Sequence, residues 1–96
     1  MLRTVSESQI ERAFCRKVRE RGGVPAKFVS PGLAGVPDRL LLLPGGRTLF
    51  IEFKAPGGHL RALQRKRHDE LRSLGFDVRV IDSHESANLL LEEVLG

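Results

Sequence analysis

The sequence predicts a mixed α/β fold in which helices flank a mixed β-sheet. Apolar residues recur with helical spacing in three segments, and apolar runs of strand length lie between turns rich in Gly and Pro. The resulting order is helix, short strand, β-hairpin, helix, strand, helix. A chain of 96 residues supplies one workable core but not two, so we expect a single domain over residues 1–96.

The first third of the chain predicts a helix, a short strand and a loop. Ser6 to Gln9 has the spacing of a capping box, and Gly22-Gly23 ends the helix. Lys27 to Val29 fits a short strand, and SPGLAGVP at 30–37 fits a loop. The apolar stripe of the helix has a four-residue period and consists of Ile10, Phe14 and Val18.

The middle of the chain predicts a β-hairpin. The apolar run from Arg39 to Leu43 is typical of a strand that is buried on both faces. Pro44-Gly45-Gly46 indicates a tight turn, and Thr48 to Lys54 is the second strand, rich in Phe, Ile and Thr. Pro56-Gly57-Gly58 then breaks the chain.

The last third predicts a helix, a strand and a final helix. Gly75 ends the second helix, and Ser83 caps the last one. Because a helical crossover favours a parallel arrangement, we expect the intervening strand to lie parallel to one hairpin strand. The supporting positions are Leu60, Leu63, Arg67, Leu71 and Leu74 in the second helix, Phe76, Val78 and Val80 in the strand, and Leu89, Leu90, Leu91, Val94 and Leu95 in the last helix.

The composition narrows the classes of function. The formal net charge is +4 and the pI about 10.0, which suits a polyanion such as nucleic acid but also suits proteins that are merely basic. Cys15 is the only cysteine, which excludes an internal disulfide and predicts a buried structural thiol. The chain has no apolar run long enough to span a bilayer and no signal peptide, so we expect a cytoplasmic protein without membrane contact.

Three charged residues occupy positions where they add little to the stability of a fold. Asp38 follows Pro37 at the start of an apolar strand, and Glu52 and Lys54 lie within the second hairpin strand. Because side chains alternate along a strand, Glu52 and Lys54 point to the same face. Pairing around the Gly-Gly turn brings Asp38 near Glu52.

Two carboxylates beside a lysine suit a metal-dependent hydrolase. Carboxylates are hard ligands for Mg²⁺ or Mn²⁺, and such an ion polarises a phosphoryl group and generates hydroxide near neutral pH. The lysine can orient the attacking water or offset developing charge. The alternative is a solvated edge strand bearing Glu52 and Lys54, with Asp38 capping a turn. The spacing of Asp38, a buried strand, a Gly-Gly turn and IEFK favours the catalytic interpretation.

Two helices offer further candidates for the same site. Glu7 and Glu11 lie on one face of the first helix, and either can reach the metal region. The alternative is a solvated face on which the helix dipole favours Glu7. On the second helix, Gln64 is placed to hold a water or a phosphate, and the alternative is an ordinary glutamine at the boundary of the core.

The second helix is strongly basic and is a candidate for DNA contact, although a charged solvent face is the usual explanation of such runs. The histidines lack metal-ligand spacing and receive no site role, and no aromatic platform for stacking bases is apparent. The basic residues are Arg61, Arg65, Lys66, Arg67 and Arg72, and the histidines are His59, His68 and His84.

These motifs resemble a known nuclease family. GVPD at 35–38, IEFK at 51–54 and Gln64 resemble the PD-(D/E)xK nuclease superfamily, which implies a restriction-endonuclease-like core. Within it, the chain looks like the virus-type replication-repair nuclease domain, VRR-NUC, in a minimal stand-alone form. Three further segments fit that pattern: ESQIE at 7–11, GG at 22–23 and GFDVRVID at 75–82.

The resemblance implies roles for individual residues. Lys54 is implied as the catalytic lysine and Gln64 as a supporting site residue. An acidic residue from the first helix is also implied, and Glu7 and Glu11 both fit. The metal ligands that the resemblance implies are Asp38, Glu52 and the backbone carbonyl of Phe53.

The resemblance further implies a Mg²⁺- or Mn²⁺-dependent endodeoxyribonuclease that acts on branched DNA such as Holliday junctions, in a bacterial or phage-infected cell. A flap, nicking or restriction-type nuclease is the first alternative, and a non-catalytic DNA-binding module is the second. Symmetric resolution of a junction needs two active sites, so we expect a homodimer. The leucine-rich last helix, or an apolar face of the first, is the candidate interface. No small-molecule cofactor is expected.

Overall fold

Four strands form one mixed sheet with helices on both faces in the computed structural model, which describes residues 4–96. The architecture confirms the predicted fold class and the predicted order of elements. In chain order the elements are α1 (Glu7–Glu20), β1 (Val24–Lys27), β2 (Arg39–Leu42), a 3-10 turn (Pro44–Gly46), β3 (Thr48–Phe53), α2 (Ala62–Ser73), β4 (Val78–Ile81) and α3 (His84–Leu95).

The strands lie in the order β1-β2-β3-β4 across the sheet. β2 pairs antiparallel with β1 and with β3, whereas β4 lies parallel to β3. The helix α2 forms the crossover that a parallel pair requires. The expected parallel pairing of the last strand is therefore confirmed.

The helices α1 and α3 cover one face of the sheet and form the core with it. Both begin at the predicted caps, where the hydroxyls of Ser6 and Ser83 accept backbone N–H bonds at 3.1 and 2.9 Å. Cys15 is buried here, as predicted. The core side chains include Ile10, Phe14, Val18, Leu41, Leu49, Ile51, Phe53, Ile81, Leu90 and Leu91.

The predicted position of the first strand is wrong: the strand starts three residues before its predicted start and ends two residues before its predicted end. The strand spans Val24–Lys27 rather than Lys27–Val29. Pro25 is accommodated because β1 is an edge strand, where a missing N–H leaves no sheet bond unmade. Pairing extends one residue past the strand, because the N–H of Phe28 donates to the carbonyl of Asp38 at 2.9 Å.

The prediction that the second strand is buried on both faces is also wrong. Leu41 is fully buried in the core, but Leu42 is 40% exposed on the opposite face. The reason is that α2 packs against β4 and leaves β1 and β2 uncovered.

The side of α2 that faces the sheet is not its leucine stripe. Leu63 and Leu74 are 45% and 69% exposed, whereas His68 is completely buried. The helix is rotated so that His68 lies against Glu52 of β3. This orientation of α2 determines which of its polar residues reach the candidate site.

Candidate active site

The start of β2 and the end of β3 bring two carboxylates together. Arg39 pairs with Ile51, so Asp38 lies opposite Glu52 on the sheet face that α2 covers. Asp38 is held in place because its Oδ2 accepts a hydrogen bond from the backbone N–H of Phe53 at 2.8 Å. The structure thus brings together the two carboxylates that the hairpin pattern predicts to converge.

Glu52 is almost completely buried, with 2% of its surface exposed. Burial disfavours its charged form and the carboxyl group of Asp38 lies beside it, so the pKa of Glu52 is raised to about 8. The positive charge of Lys54 opposes this increase. Lys54 is the cation that offsets the charge of this carboxyl pair, so a bound metal ion would stabilise the charged form of Glu52 further.

Lys54 lies next to the carboxylates because the strand pairing continues past β3. Its backbone N–H donates to the carbonyl of Ile81 at 2.9 Å, which extends the pairing with β4 by one residue. The alternation of the strand then places the half-buried lysine on the same face as Glu52. All three residues of the predicted constellation therefore share one face of the sheet.

The helix α2 contributes two polar side chains to Glu52. The amide nitrogen of Gln64 lies 3.5 Å from one carboxylate oxygen of Glu52, a long hydrogen bond. The Nε2 atom of His68 lies 3.3 Å from the other oxygen. The sequence reasoning gave His68 no role, although its position four residues after Gln64 on a helix indicated a shared face.

The two candidate glutamates of α1 have different surroundings. Glu11 forms a half-buried ion pair with Arg39, at 2.8 Å between Oε2 and Nε. Glu7 is exposed at the start of the helix, and its charge is close enough to contribute to the raised pKa of Glu52. Of the two, Glu11 is held by the ion pair with Arg39, whereas the charge of Glu7 acts on Glu52.

The four candidate DNA-contacting residues at the start of α2 fall into two groups. Arg61, Arg65 and Lys66 are exposed near the start of the helix. Arg67 has only 12% of its side chain exposed. Its Nε donates to the carbonyl of Ala34 at 2.9 Å and its Nη1 contacts Glu70. Arg67 is therefore bound within the chain.

The donor atoms at the site fit a hard divalent cation. Asp38 and Glu52 supply carboxylate oxygens, and the backbone carbonyl of Phe53 follows Glu52 directly in the chain. Over residues 4–96, no group of three or more His, Cys, Asp or Glu side chains could hold a metal ion. A bound ion would therefore complete its shell with backbone oxygen and water, as Mg²⁺ commonly does.

Comparison with known proteins agrees with this geometry. The model of the VRR-NUC domain family matches residues 12–85. The chain belongs to the VRR-NUC family. A relative named "Putative nuclease p44", from Acyrthosiphon pisum secondary endosymbiont phage 1, is 44% identical over 89 residues, covering 93% of this chain and 96% of the relative.

A solved VRR-NUC domain has the same fold. It superposes with a TM-score of 0.83 at 28% identity, covering 90% of this chain and 94% of that structure. Membership of the VRR-NUC family makes the chain a nuclease domain. The family match begins at residue 12, after both Glu7 and Glu11, so it does not choose between them.

Proposed function

We propose that the chain is a single-domain endonuclease that hydrolyses DNA phosphodiester bonds with Mg²⁺ or Mn²⁺. The observation that carries this proposal is the convergence of Asp38 and Glu52 beside Lys54 on one face of the sheet. Lys54 offsets only part of the increase in the pKa of Glu52, and a bound metal ion would favour the charged form of this carboxyl group further. A relative that is named as a nuclease supports the reaction class.

Each residue of the site has a distinct role in this reaction. Asp38, Glu52 and the carbonyl of Phe53 would hold the ion, with Glu7 as the outer acidic partner. When bound, such an ion would offset negative charge on the phosphate and lower the pKa of a water molecule. Lys54 orients the water and stabilises negative charge on the phosphoryl oxygens. The oxygen of the attacking water bonds to phosphorus and gives up a proton, one phosphorus–oxygen bond to a deoxyribose breaks, and the departing oxygen takes up a proton, so that one water is added in total.

The exposed start of α2 is the proposed DNA contact. The exposed cations there are Arg61, Arg65 and Lys66. Within residues 4–96, none of them bonds to the loop as Arg67 does, and Arg65 donates only to the carbonyl of Leu60. Cations at this position can neutralise phosphates next to the carboxylates. Gln64 lies on the same turn and faces Glu52, so it supports the carboxylates rather than the DNA.

We further propose branched DNA, such as a four-way junction, as the preferred substrate and a homodimer as the active form. One chain holds one site, and paired cuts need two sites related by a two-fold axis. The apolar surface available for an interface lies on the part of the sheet that α2 leaves uncovered, rather than on α1, whose apolar face is in the core. That surface includes Val24, Leu42, Phe28, Phe50 and Phe76.

The cellular setting is a further proposal. None of the helices in residues 4–96 has the length and apolar character needed to cross a membrane. The relative named as a nuclease comes from a phage. We therefore propose the cytoplasm of a bacterium or of a phage-infected cell as the place of action.

Cleavage of a labelled four-way junction tests the proposed function. Wild type and Asp38→Asn are compared in Mg²⁺, Mn²⁺ and EDTA, with Asp69→Asn as a control that removes the same charge from an exposed side chain of α2. We expect metal-dependent nicks from wild type and the control, and none from Asp38→Asn. Equal cleavage by Asp38→Asn would overturn the assignment of the site.

Substrate and oligomeric state need separate measurements. Flap, nicked and linear duplex substrates distinguish a junction nuclease from the flap, nicking and restriction-type alternatives. DNA binding by wild type with no cleavage of any substrate would favour a binding module instead.

Sedimentation of Leu42→Lys tests the interface, since a buried lysine there should convert a dimer to a monomer. A monomeric wild type contradicts the homodimer.

A further inference from the structure

Two polar side chains are buried in the described part of the chain, and they contact each other. Glu52 and His68 are 2% and 0% exposed, and Nε2 of His68 lies 3.3 Å from Oε1 of Glu52. Burying a polar side chain is unfavourable unless a hydrogen bond compensates for the lost water. The pairing of a completely buried histidine with a candidate metal ligand therefore calls for a specific role.

The hydrogen-bond directions around Glu52 follow from the neighbouring groups. The Oε1 atom of Gln64 accepts the backbone N–H of Arg61 at 2.9 Å, so the amide nitrogen of Gln64 is the atom that faces Glu52. In His68, Nδ1 is buried and has no partner among residues 4–96. A buried N–H without an acceptor is costly, so the ring proton belongs on Nε2, which donates to Glu52.

The carboxylate of Glu52 is thus approached by one donor at each oxygen. Gln64 donates to Oε2 and His68 to Oε1, and the two donors lie four residues apart on α2. Each carboxylate oxygen has a second lone pair that remains for a cation. The imidazole ring also fixes the orientation of the group, because it is rigid and enclosed on all sides.

We propose that His68 is a positioning residue that holds Glu52 in the orientation that binds the metal ion. This inference rests on the proposed metal-dependent function. His68 does not touch the substrate and does not bind the ion. It acts through the Nε2–H bond to Glu52, in the way that outer hydrogen-bond partners generally orient metal ligands.

Substitutions can separate this role from simple packing. His68→Met fills a similar volume with an unbranched apolar chain but removes the donor. His68→Gln carries an amide nitrogen at about the position of Nε2, whereas His68→Asn carries it near Nδ1, on the side without a partner. A packing role predicts that Met is tolerated best, and a positioning role predicts that Gln is.

The decisive measurement is direct Mn²⁺ binding, followed through the paramagnetic resonance signal of free Mn²⁺, alongside cleavage at varied metal concentration. We expect His68→Met to weaken Mn²⁺ binding by about 10- to 100-fold. His68→Gln should keep its Mn²⁺ affinity within about threefold of wild type, because it retains the hydrogen bond to Glu52. His84→Met, which changes an exposed histidine on α3, is the control and should bind Mn²⁺ like wild type.

The possible outcomes are distinct. Wild-type Mn²⁺ affinity in a folded His68→Met overturns the inference, and so does loss of binding in Gln equal to that in Met. If His68→Met does not fold, the comparison of Gln with Asn decides in the same way, because only Gln keeps the donor at Nε2. Failure of wild type to cleave DNA in any metal overturns the proposed function instead.

Discussion

Near its carboxyl end, β3 is buried on both faces, and the two faces differ in chemistry. Leu49, Ile51 and Phe53 point towards α1 and α3 and are fully enclosed by apolar side chains. Glu52 points the other way and is enclosed by Asp38 and the polar side of α2. One strand therefore serves both the core and the candidate site, through the two-residue period of its side chains.

This comparison teaches that burial has opposite consequences on the two faces. On the core face it removes apolar surface from water and stabilises the fold. On the α2 face it places a carboxyl group where its charged form is disfavoured, which raises its pKa to about 8 and opposes folding when the group ionises.

The largest effect that separates the faces is expected from Glu52→Gln. It should lower metal-dependent cleavage by at least about 1000-fold, equivalent to about 4 kcal/mol, because a ligand of the metal is lost. Above pH 8, where wild-type Glu52 ionises, the metal-free variant should be at least as stable as wild type. Junction cleavage and thermal unfolding in EDTA measure the two effects.

Glu85→Gln is the matched control, since Glu85 is an exposed glutamate at the start of α3. It should cleave DNA like wild type. If Glu52→Gln retained full cleavage, or lost several kcal/mol of stability above pH 8, the distinction between the two faces would be wrong.

The core face is tested by Phe53→Ala. The ring of Phe53 is fully buried and packs edge-to-face on Phe14, with centroids 5.7 Å apart. Its removal should lower the free energy of unfolding by about 3–5 kcal/mol. The variant keeps the backbone carbonyl, so the fraction that remains folded should still bind Mn²⁺. Urea unfolding measures the loss of stability, and a loss below about 1 kcal/mol would show that this face is not the stabilising one.

The two faces should also differ in how stability depends on pH. The pKa of Glu52 is about 8 in the folded chain against an ordinary 4.5, so between these values only the unfolded chain releases the proton. The stabilising contribution of protonated Glu52 is complete below pH 4.5 and is lost as the pH rises through 8. Burial lowers the pKa of His68 and gives the opposite slope below pH 6.5.

Unfolding in EDTA between pH 6.5 and 9 isolates the glutamate. Wild type should lose stability by up to about 1.4 kcal/mol per pH unit until the pH passes 8, and Glu52→Gln should not. With Mn²⁺ present the trend should reverse, because metal binding requires the ionised carboxylate. Parallel curves for wild type and variant in EDTA would rule out a strongly raised pKa.

Much of this arrangement was predictable from the sequence, because it depends on local periods. The hairpin turn and the alternation along β3 are enough to predict that Asp38, Glu52 and Lys54 share a face. The role of His68 was not predictable from apolar periodicity, which assigns the leucines of α2 to the buried side. The packing of α2 against β4, a tertiary property, leaves Leu63 45% exposed and buries the histidine instead.

The same limit applies to the basic residues of α2. A run of arginines and lysines does not reveal which of them bind the chain itself. Arg67 donates to the carbonyl of Ala34, in the loop that leads to Asp38. Gly35 brings that loop against α2, since an added Cβ would lie 2.7 Å from the carbonyl oxygen of Leu63. Arg67 thus helps to build the polar face, whereas the neighbouring Lys66 is exposed to contact DNA.

The smallest expected effect is a difference between Lys66→Ala and Arg67→Ala in the salt dependence of DNA binding. Each substitution by Ala removes one positive charge, so a general electrostatic effect would be the same for both. If Lys66 contacts a phosphate, Lys66→Ala should reduce the slope of log Kd against log salt by about 0.9. Arg67→Ala should leave the slope unchanged and lower the free energy of unfolding by about 1–2 kcal/mol, because the Ala34 carbonyl loses its charged donor.

Anisotropy titrations of labelled junction DNA in EDTA, at four or more salt concentrations, measure the slope without cleavage. Arg16→Ala, an exposed change on α1, controls for net charge. An equal reduction of the slope in Arg67→Ala and Lys66→Ala would mean that Arg67 leaves its loop to contact DNA. Arg67 would then belong to the DNA-contacting residues with Lys66, and the residues of α2 that contact DNA would extend one residue further along the helix.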